Sequence, residues 1–209
     1  MTLGKWLHNQ WVSLQLRQSY FDEHDYVIVD LELTGLEPKK HEIVSAGWLT
    51  MQSLKIDLST AGYMLNRNVT SLLQSPIYHG LNNTQLTAQG VSLSELLDGL
   101  AKVINGRVLV CHNAQLDWGF IQHAAKAQQR VIQPKAIIDT LKIEKHRLLV
   151  QGKPLKQQDL TLTACRARYA LPKYSEHNAL SDALATAELL LAQYHSMNRG
   201  SREKLSAIM

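Results

Sequence analysis

The sequence is poor in cysteine, in phenylalanine and in long apolar runs, and each shortage excludes something. Its two cysteines, Cys111 and Cys165, show no CxxC spacing and sit among apolar neighbours. Neither a disulfide framework nor a zinc site is therefore expected, and both read as small buried thiols. Only two Phe occur, so an aromatic platform for bases would have to come from Trp, Tyr or His. The N-terminal MTLGKWLHNQ lacks the apolar core of a secretion signal. The longest stretch free of Lys, Arg, Asp and Glu runs from Asn68 to Ser94 and is too rich in Asn, Gln, Ser and Thr to span a bilayer. No membrane association is expected, and the cytoplasm is the expected location. No segment is dominated by charge of one sign, which argues against disorder in the body of the chain.

What is present is a hydrophobic content of 45% over 209 residues, enough for one good core and too short a chain for two ordinary domains. The net charge of +4 tilts the chain toward polyanionic partners, a weak signal alone. Between Lys142 and Lys173 there are eight Lys or Arg (Lys142, Lys145, Arg147, Lys153, Lys156, Arg166, Arg168, Lys173) against Glu144 and Asp159. That stretch is a candidate for steering phosphates; a solvated face without a partner is the alternative.

Residues 1–25 carry Trp6, Leu7, Trp11, Val12, Leu14 and Leu16 at helical spacing and end in the polar cluster Asp22 to Asp25. They read as an N-terminal helical extension and a turn, either packed on the domain or serving as a docking element. The β-branched run Tyr26 to Val29 predicts a central strand, extended by Leu31 and Leu33 alternating with acids. His41 to Met51 and Leu54 to Leu65 follow in hairpin-like succession. Ser92 predicts a helix cap, with the helix running through Ile104 and ending at Asn105-Gly106. Further strands are expected at Arg107 to Cys111 and Ala136 to Ile138. Further helices are expected at Leu116 to Ala127, Leu141 to Val150, Leu160 to Tyr169 and Leu180 to Tyr194. The fold class is thus α/β: a mixed five-stranded sheet, three strands in an antiparallel meander plus parallel strands, flanked by helices. The main domain is expected over 26–198, with 199–209 a loose tail.

Three segments carry chemistry. In Asp30-Leu31-Glu32-Leu33-Thr34-Gly35, strand alternation sends Asp30 and Glu32 to the same face. Two neighbouring carboxylates repel, and a hard divalent cation such as Mg²⁺ or Mn²⁺ between them removes the conflict. In the segment from Val108 to Asp117, a buried strand ends in His112-Asn113 and Asp117 falls at a helix start, where the helix dipole alone would also favour an acid. In His177-Asn178-Ala179-Leu180-Ser181-Asp182, small residues leave room for a ligand near Asp182. His177 precedes that helix, and an imidazole, with an unperturbed pKa of about 6.5, suits a general base near neutral pH.

Together the segments resemble the motifs of the DEDD 3′-to-5′ exonucleases in their histidine-bearing branch, the proofreading superfamily that includes DNA polymerase III epsilon-like chains. DLELTG is similar to DxExTG, HNAQLDWGF to HNAxFDxxF and HNALSDALA to HxAxxDAxA. The resemblance runs from Tyr26 to Tyr194 and includes the HGL at His79 and the IDT of Ile138 to Thr140. It departs at Leu116, where the family usually has Phe, a change that removes no ligand. It implies a ribonuclease H-like fold and a catalytic set of Asp30, Glu32, Asp117, Asp182 and His177. The four acids would hold two Mg²⁺ (or Mn²⁺) ions and His177 would be the general base. Thr34, Gly35 and Leu36 would form the pocket for the last nucleotide, with His79 and Asn113 lining it. The implied partner is the 3′ end of a single-stranded nucleic acid, shortened one nucleoside 5′-monophosphate at a time. An RNA-trimming enzyme resembling oligoribonuclease or ribonuclease T, and a proofreading or binding subunit of a polymerase, remain open alternatives.

Overall fold

The computed structural model describes residues 18–152, 154–174, 177–197 and 202–207. The expected N-terminal helix lies outside the described residues over 1–17. Strands β1 (Asp25–Leu33), β2 (Ile43–Gln52) and β3 (Lys55–Leu65) form the antiparallel meander, and β4 (Val108–Cys111) and β5 (Ala136–Asp139) add in parallel. The sheet order is β3-β2-β1-β4-β5, so β1 is central and buried on both faces. Helices are α1 (Pro76–His79), α2 (Asn83–Gln89), α3 (Leu93–Ile104), α4 (Ala114–Ala127), α5 (Thr140–Val150), α6 (Leu162–Arg168) and α7 (Ala179–Met197).

Two side-chain rows on β1 organise the layers. Val27, Val29 and Leu31 pack with Leu96, Leu97 and Leu100 of α3 and Phe120 and Ile121 of α4. Tyr26 and Ile28 point the other way, onto Ala183, Ala187 and Leu190 of α7. Asp30 and Glu32 continue this second row, so the period of two carries both carboxylates onto the face covered by α7. The Ala residues of α7 let the helix lie close to the sheet. At the start of α3, Ser92 accepts from the Glu95 amide while the Glu95 carboxylate accepts from the Ser92 amide at 2.8 Å, a reciprocal cap that fixes where the helix begins.

Three expectations are corrected. The helix expected over Leu160 to Tyr169 is shorter: Gln157–Leu160 form a 3-10 turn, and Thr161 caps α6 by accepting from the Ala164 amide. The last residues are not a loose tail over 202–207. Leu205 is buried beside Phe21 and Tyr194, its amide donates to the Ser19 carbonyl at 2.9 Å, and Arg202 pairs with Asp22 at 2.6 Å. The basic stretch is in part inward-facing. Arg147 and Arg168 both pair with the fully buried Glu144, which also accepts from the Tyr169 hydroxyl, and Arg166 pairs with Glu188. Those three guanidiniums tie α5, α6 and α7 together and are not free to steer phosphates.

Candidate active site

Bringing the third acid to β1 depends on a glycine. Gly47 on β2 stands opposite Asp30, and a Cβ there would collide with the backbone of Ala179 and Leu180 at the start of α7. Glycine inside a strand marks close approach of another backbone, and here the backbone is the helix that carries Asp182. One turn into α7, the Asp182 carboxylate therefore reaches the end of β1. Oxygens of Asp30, Glu32 and Asp182 lie within 4.8 Å of one another, the one such grouping of three or more ligand-type side chains among the described residues.

Asp30 and Glu32 are buried acids crowded by other acids. Burial, then Asp117, Asp182 and Glu32, raises the Asp30 carboxyl well above the usual carboxylate range. Burial and then Asp182 push Glu32 up to about 7. No Lys or Arg is among the groups acting on either. A cluster of hard oxygen donors at this spacing fits a divalent cation such as Mg²⁺ or Mn²⁺, whose charge would restore the ionised state of the acids.

Asp117, buried in the first turn of α4, stands outside the group of three but close enough to Asp30 to raise its pKa. Burial pushes Asp117 itself up to about 8, a rise partly offset by the backbone amides of Asp117 and Leu31. Asp139, at the end of β5, accepts from the Asn113 amide at 3.0 Å and caps α5 by accepting from the Leu141 amide at 3.1 Å, joining the two loops behind Asp117. His112 bridges the Thr140 hydroxyl and the Leu160 carbonyl, both at 2.9 Å. Burial also pushes the neighbouring Cys111 thiol up, so it is an inert core group as expected.

Beside the acids opens a cleft of about 770 Å³ lined by Glu32, Thr34, Gly35, Leu36, His79, Leu116, His177 and neighbours on the Leu73 to Ser75 loop. Four of the five substrate-pocket expectations thus meet here. The fifth, Asn113, does not line the cleft; it starts α4 in a left-handed conformation with φ of 74°. Thr34 accepts from the Glu42 amide at 2.9 Å, which leaves its hydroxyl proton to donate. His79 has both ring nitrogens engaged, with the Ser75 hydroxyl at 2.9 Å and the Leu81 amide at 3.0 Å. It holds the cleft wall together and does not reach freely for a ligand. Leu116, the departure from the resembling motif, is a cleft-wall residue.

His177 is exposed on the cleft rim with φ of 67°, and its amide donates to the Asp182 carboxylate at 2.9 Å. Non-glycine residues in the left-handed region cluster at functional sites because the surroundings must hold them there. Buried Arg166 supplies part of that hold. Its guanidinium donates to carbonyls of Ala185 on α7 and Pro172 on the preceding loop, and stacks 4.7 Å from the Tyr174 ring. Sequence reasoning gave Gly47 and Arg166 no site-building role and took Asp139 only as part of the IDT resemblance. For Gly47 the available signal was a glycine inside the strand run Ile43 to Thr50.

A mixed sheet whose central strand ends in paired acids, completed by an acid from the last helix, defines a ribonuclease H-like exonuclease. The chain belongs to the RNase_T exonuclease family, which residues 27–190 match. It is 26% identical over 190 residues to a DNA polymerase III PolC-type protein of Thermotoga petrophila, covering 91% of this chain and 13% of that protein. It is 24% identical over 176 residues to the 3′-5′ exonuclease DinG of Staphylococcus epidermidis, covering 83% of this chain and 18% of that protein. The chain thus spans less than a fifth of the length of these curated relatives. Among solved structures, the zinc-bound E. coli ExoI–ssDNA complex superposes with a TM-score of 0.71 at 11% identity, covering 85% of this chain and 42% of that one. Cell-death related nuclease 4 superposes at 0.68 with 16% identity, covering 86% and 65%.

Proposed function

We propose that this exonuclease works from the 3′ end of single-stranded DNA and releases nucleoside 5′-monophosphates, using two divalent cations and His177. The observation that carries this is the convergence of Asp30, Glu32 and Asp182 beside a cleft whose rim holds His177. With Asp117, these acids would hold Mg²⁺ or Mn²⁺, which when bound supplies activation of a water and charge stabilisation at the leaving 3′ oxygen. The chain's own residues do the rest. Thr34 donates its free hydroxyl proton to the terminal nucleotide, and Leu36, largely exposed, packs on its base. His177 receives the proton of the attacking water on a ring nitrogen. A new O–P bond forms, the bond from phosphorus to the 3′ oxygen breaks, and the departing oxygen takes a proton from solvent, leaving the shortened strand with a 3′-hydroxyl. Placement of His177 five residues before Asp182, on the cleft rim, supports the histidine branch of the superfamily.

The name of the DNA polymerase III PolC-type relative favours DNA over RNA and is consistent with a polymerase-associated role for this domain. The test is digestion of 5′-labelled single-stranded DNA and matched RNA with Mg²⁺, Mn²⁺ or chelator, for wild type and Asp182→Ala. A descending ladder on DNA that requires metal and Asp182 is expected. A ladder on RNA alone would make the protein an RNA-trimming enzyme, and cleavage that persists in chelator would refute the reading.

A further inference from the structure

On the far side of Leu36 from the cleft lies a second and larger cavity, about 890 Å³, between the β1–β2 loop and the outer face of α4. Leu36 lines both cavities, so the two adjoin at that side chain. The groove is bounded by Pro38, Gly119 and Ile132, and two apolar side chains stand open at it, Leu36 at 75% exposure and Val131 at 77%. Its rim carries cations whose state differs. Arg130 is taken by Asp98 at 2.8 Å, and the one acid, Glu37, is neutralised by Lys40 at 2.8 Å. Lys39 from the loop and Lys126 from α4 are exposed, and neither forms an ion pair among the described residues.

Resting on the function proposed above, we infer that this groove is the track for the nucleotides immediately 5′ of the scissile bond. In it Lys39 and Lys126 meet the backbone phosphates and the aliphatic walls meet the bases. The cleft accounts for one nucleotide; past Leu36 the strand meets a cavity with two exposed ammonium groups, whereas the cavity that adjoins the cleft at Thr34 and Leu73 offers Lys39 alone, its Lys40 being paired with Glu37. Because the lysines read charge and the walls are aliphatic, not aromatic, the track carries no base preference. It makes a long strand a better substrate than a short one.

The test compares wild type with Lys39→Ser/Lys126→Ser on three probes: the p-nitrophenyl ester of thymidine 5′-monophosphate, a dinucleotide, and an oligothymidylate long enough to fill the groove. Wild-type hydrolysis of the ester establishes the catalytic site independently of the track. The double variant is expected to match wild type on the ester and the dinucleotide, with KM for the oligothymidylate raised several-fold at low salt. Its slope of log KM against log salt should fall by about 1.4, or 0.7 for each lost phosphate contact to a single strand. An unchanged oligothymidylate KM and slope, with the ester still hydrolysed, would overturn the track and leave the site intact. Equal losses on ester and oligonucleotide would also overturn it, because the lysines would then act on the reaction centre. Failure of wild type on all three probes would remove the catalytic reading and the track with it.

Discussion

Replacing Glu32 by glutamine should disable the protein and, as pH rises above about 4.5, make the metal-free fold the more stable of the two. In the folded chain burial and the neighbouring Asp182 raise the Glu32 carboxyl from its ordinary 4.5 to about 7. As pH rises, the unfolded chain therefore releases this proton first, and stability falls through the window from about 4.5 to about 7. At pH 8 the ionised side chain costs the metal-free fold at most about 3 kcal/mol, from 1.36 kcal/mol per unit of pKa. Glutamine keeps the shape and removes the charge. Thermal melts in chelator should show Glu32→Gln melting above wild type by roughly 6 to 12 °C at pH 8, at 2 to 4 °C per kcal/mol for a chain of this size. At pH 4 the two should melt together. Added Mg²⁺ should reverse the order at pH 8, since wild type gains a ligand and the variant loses one. A difference in melting temperature independent of pH, or a less stable variant at pH 8 in chelator, would refute the electrostatic picture of the site.

Other substitutions separate the parts of the machinery. Asp30→Ala should leave no measurable exonuclease activity, whereas His177→Ala should retain a trace, roughly 10² to 10⁴ below wild type in kcat; steady-state assays on labelled DNA decide this. Gly47→Ala should push the start of α7 off β2, spreading Asp182 from Asp30 at a cost on the order of 10²-fold in rate, with a destabilisation of about 1 to 3 kcal/mol from overpacking measured by urea titration. Arg166→Met should destabilise by about 3 kcal/mol because it removes the donor to the Pro172 carbonyl and the cation paired with Glu188, which keeps only the Tyr174 hydroxyl. Arg166→Lys should recover only part of this, since an ammonium cannot make the same fork of bonds.

Much of this was legible in the sequence where periodicity carried it. Alternation along Tyr26 to Leu33 gave the two-faced central strand and the shared face of Asp30 and Glu32, because that geometry is local. Ser92 announced the start of α3 for the same reason. The resemblance supplied the family and the candidate acids, and folding places three of them within one cluster. What was illegible depends on contacts across the chain. That Gly47 faces Ala179 follows from how a helix lies across a strand, which no pattern within either segment reveals. The partners of Glu144, Arg147 three residues on in the same helix and Arg168 and Tyr169 at the end of α6, turned an apparently basic surface stretch partly inward. Leu205 docks because Phe21 and Tyr194 stack at 4.5 Å beside it, a pairing of the two ends of the described chain that composition does not report. His79 was expected to line the pocket and does, yet its ring nitrogens are committed to Ser75 and Leu81, so its part there is to shape the wall.

The account rests on side chains remote in sequence gathering cations at one spot, and anomalous scattering from crystals grown with Mn²⁺ tests that most directly. Two Mn²⁺ peaks should appear at the carboxylates, with Asp30 touching both and Glu32 and Asp182 among their ligands, and the peaks should vanish in Asp30→Ala. Mn²⁺ found only elsewhere on the surface, or no ordered Mn²⁺ at these carboxylates, would contradict it.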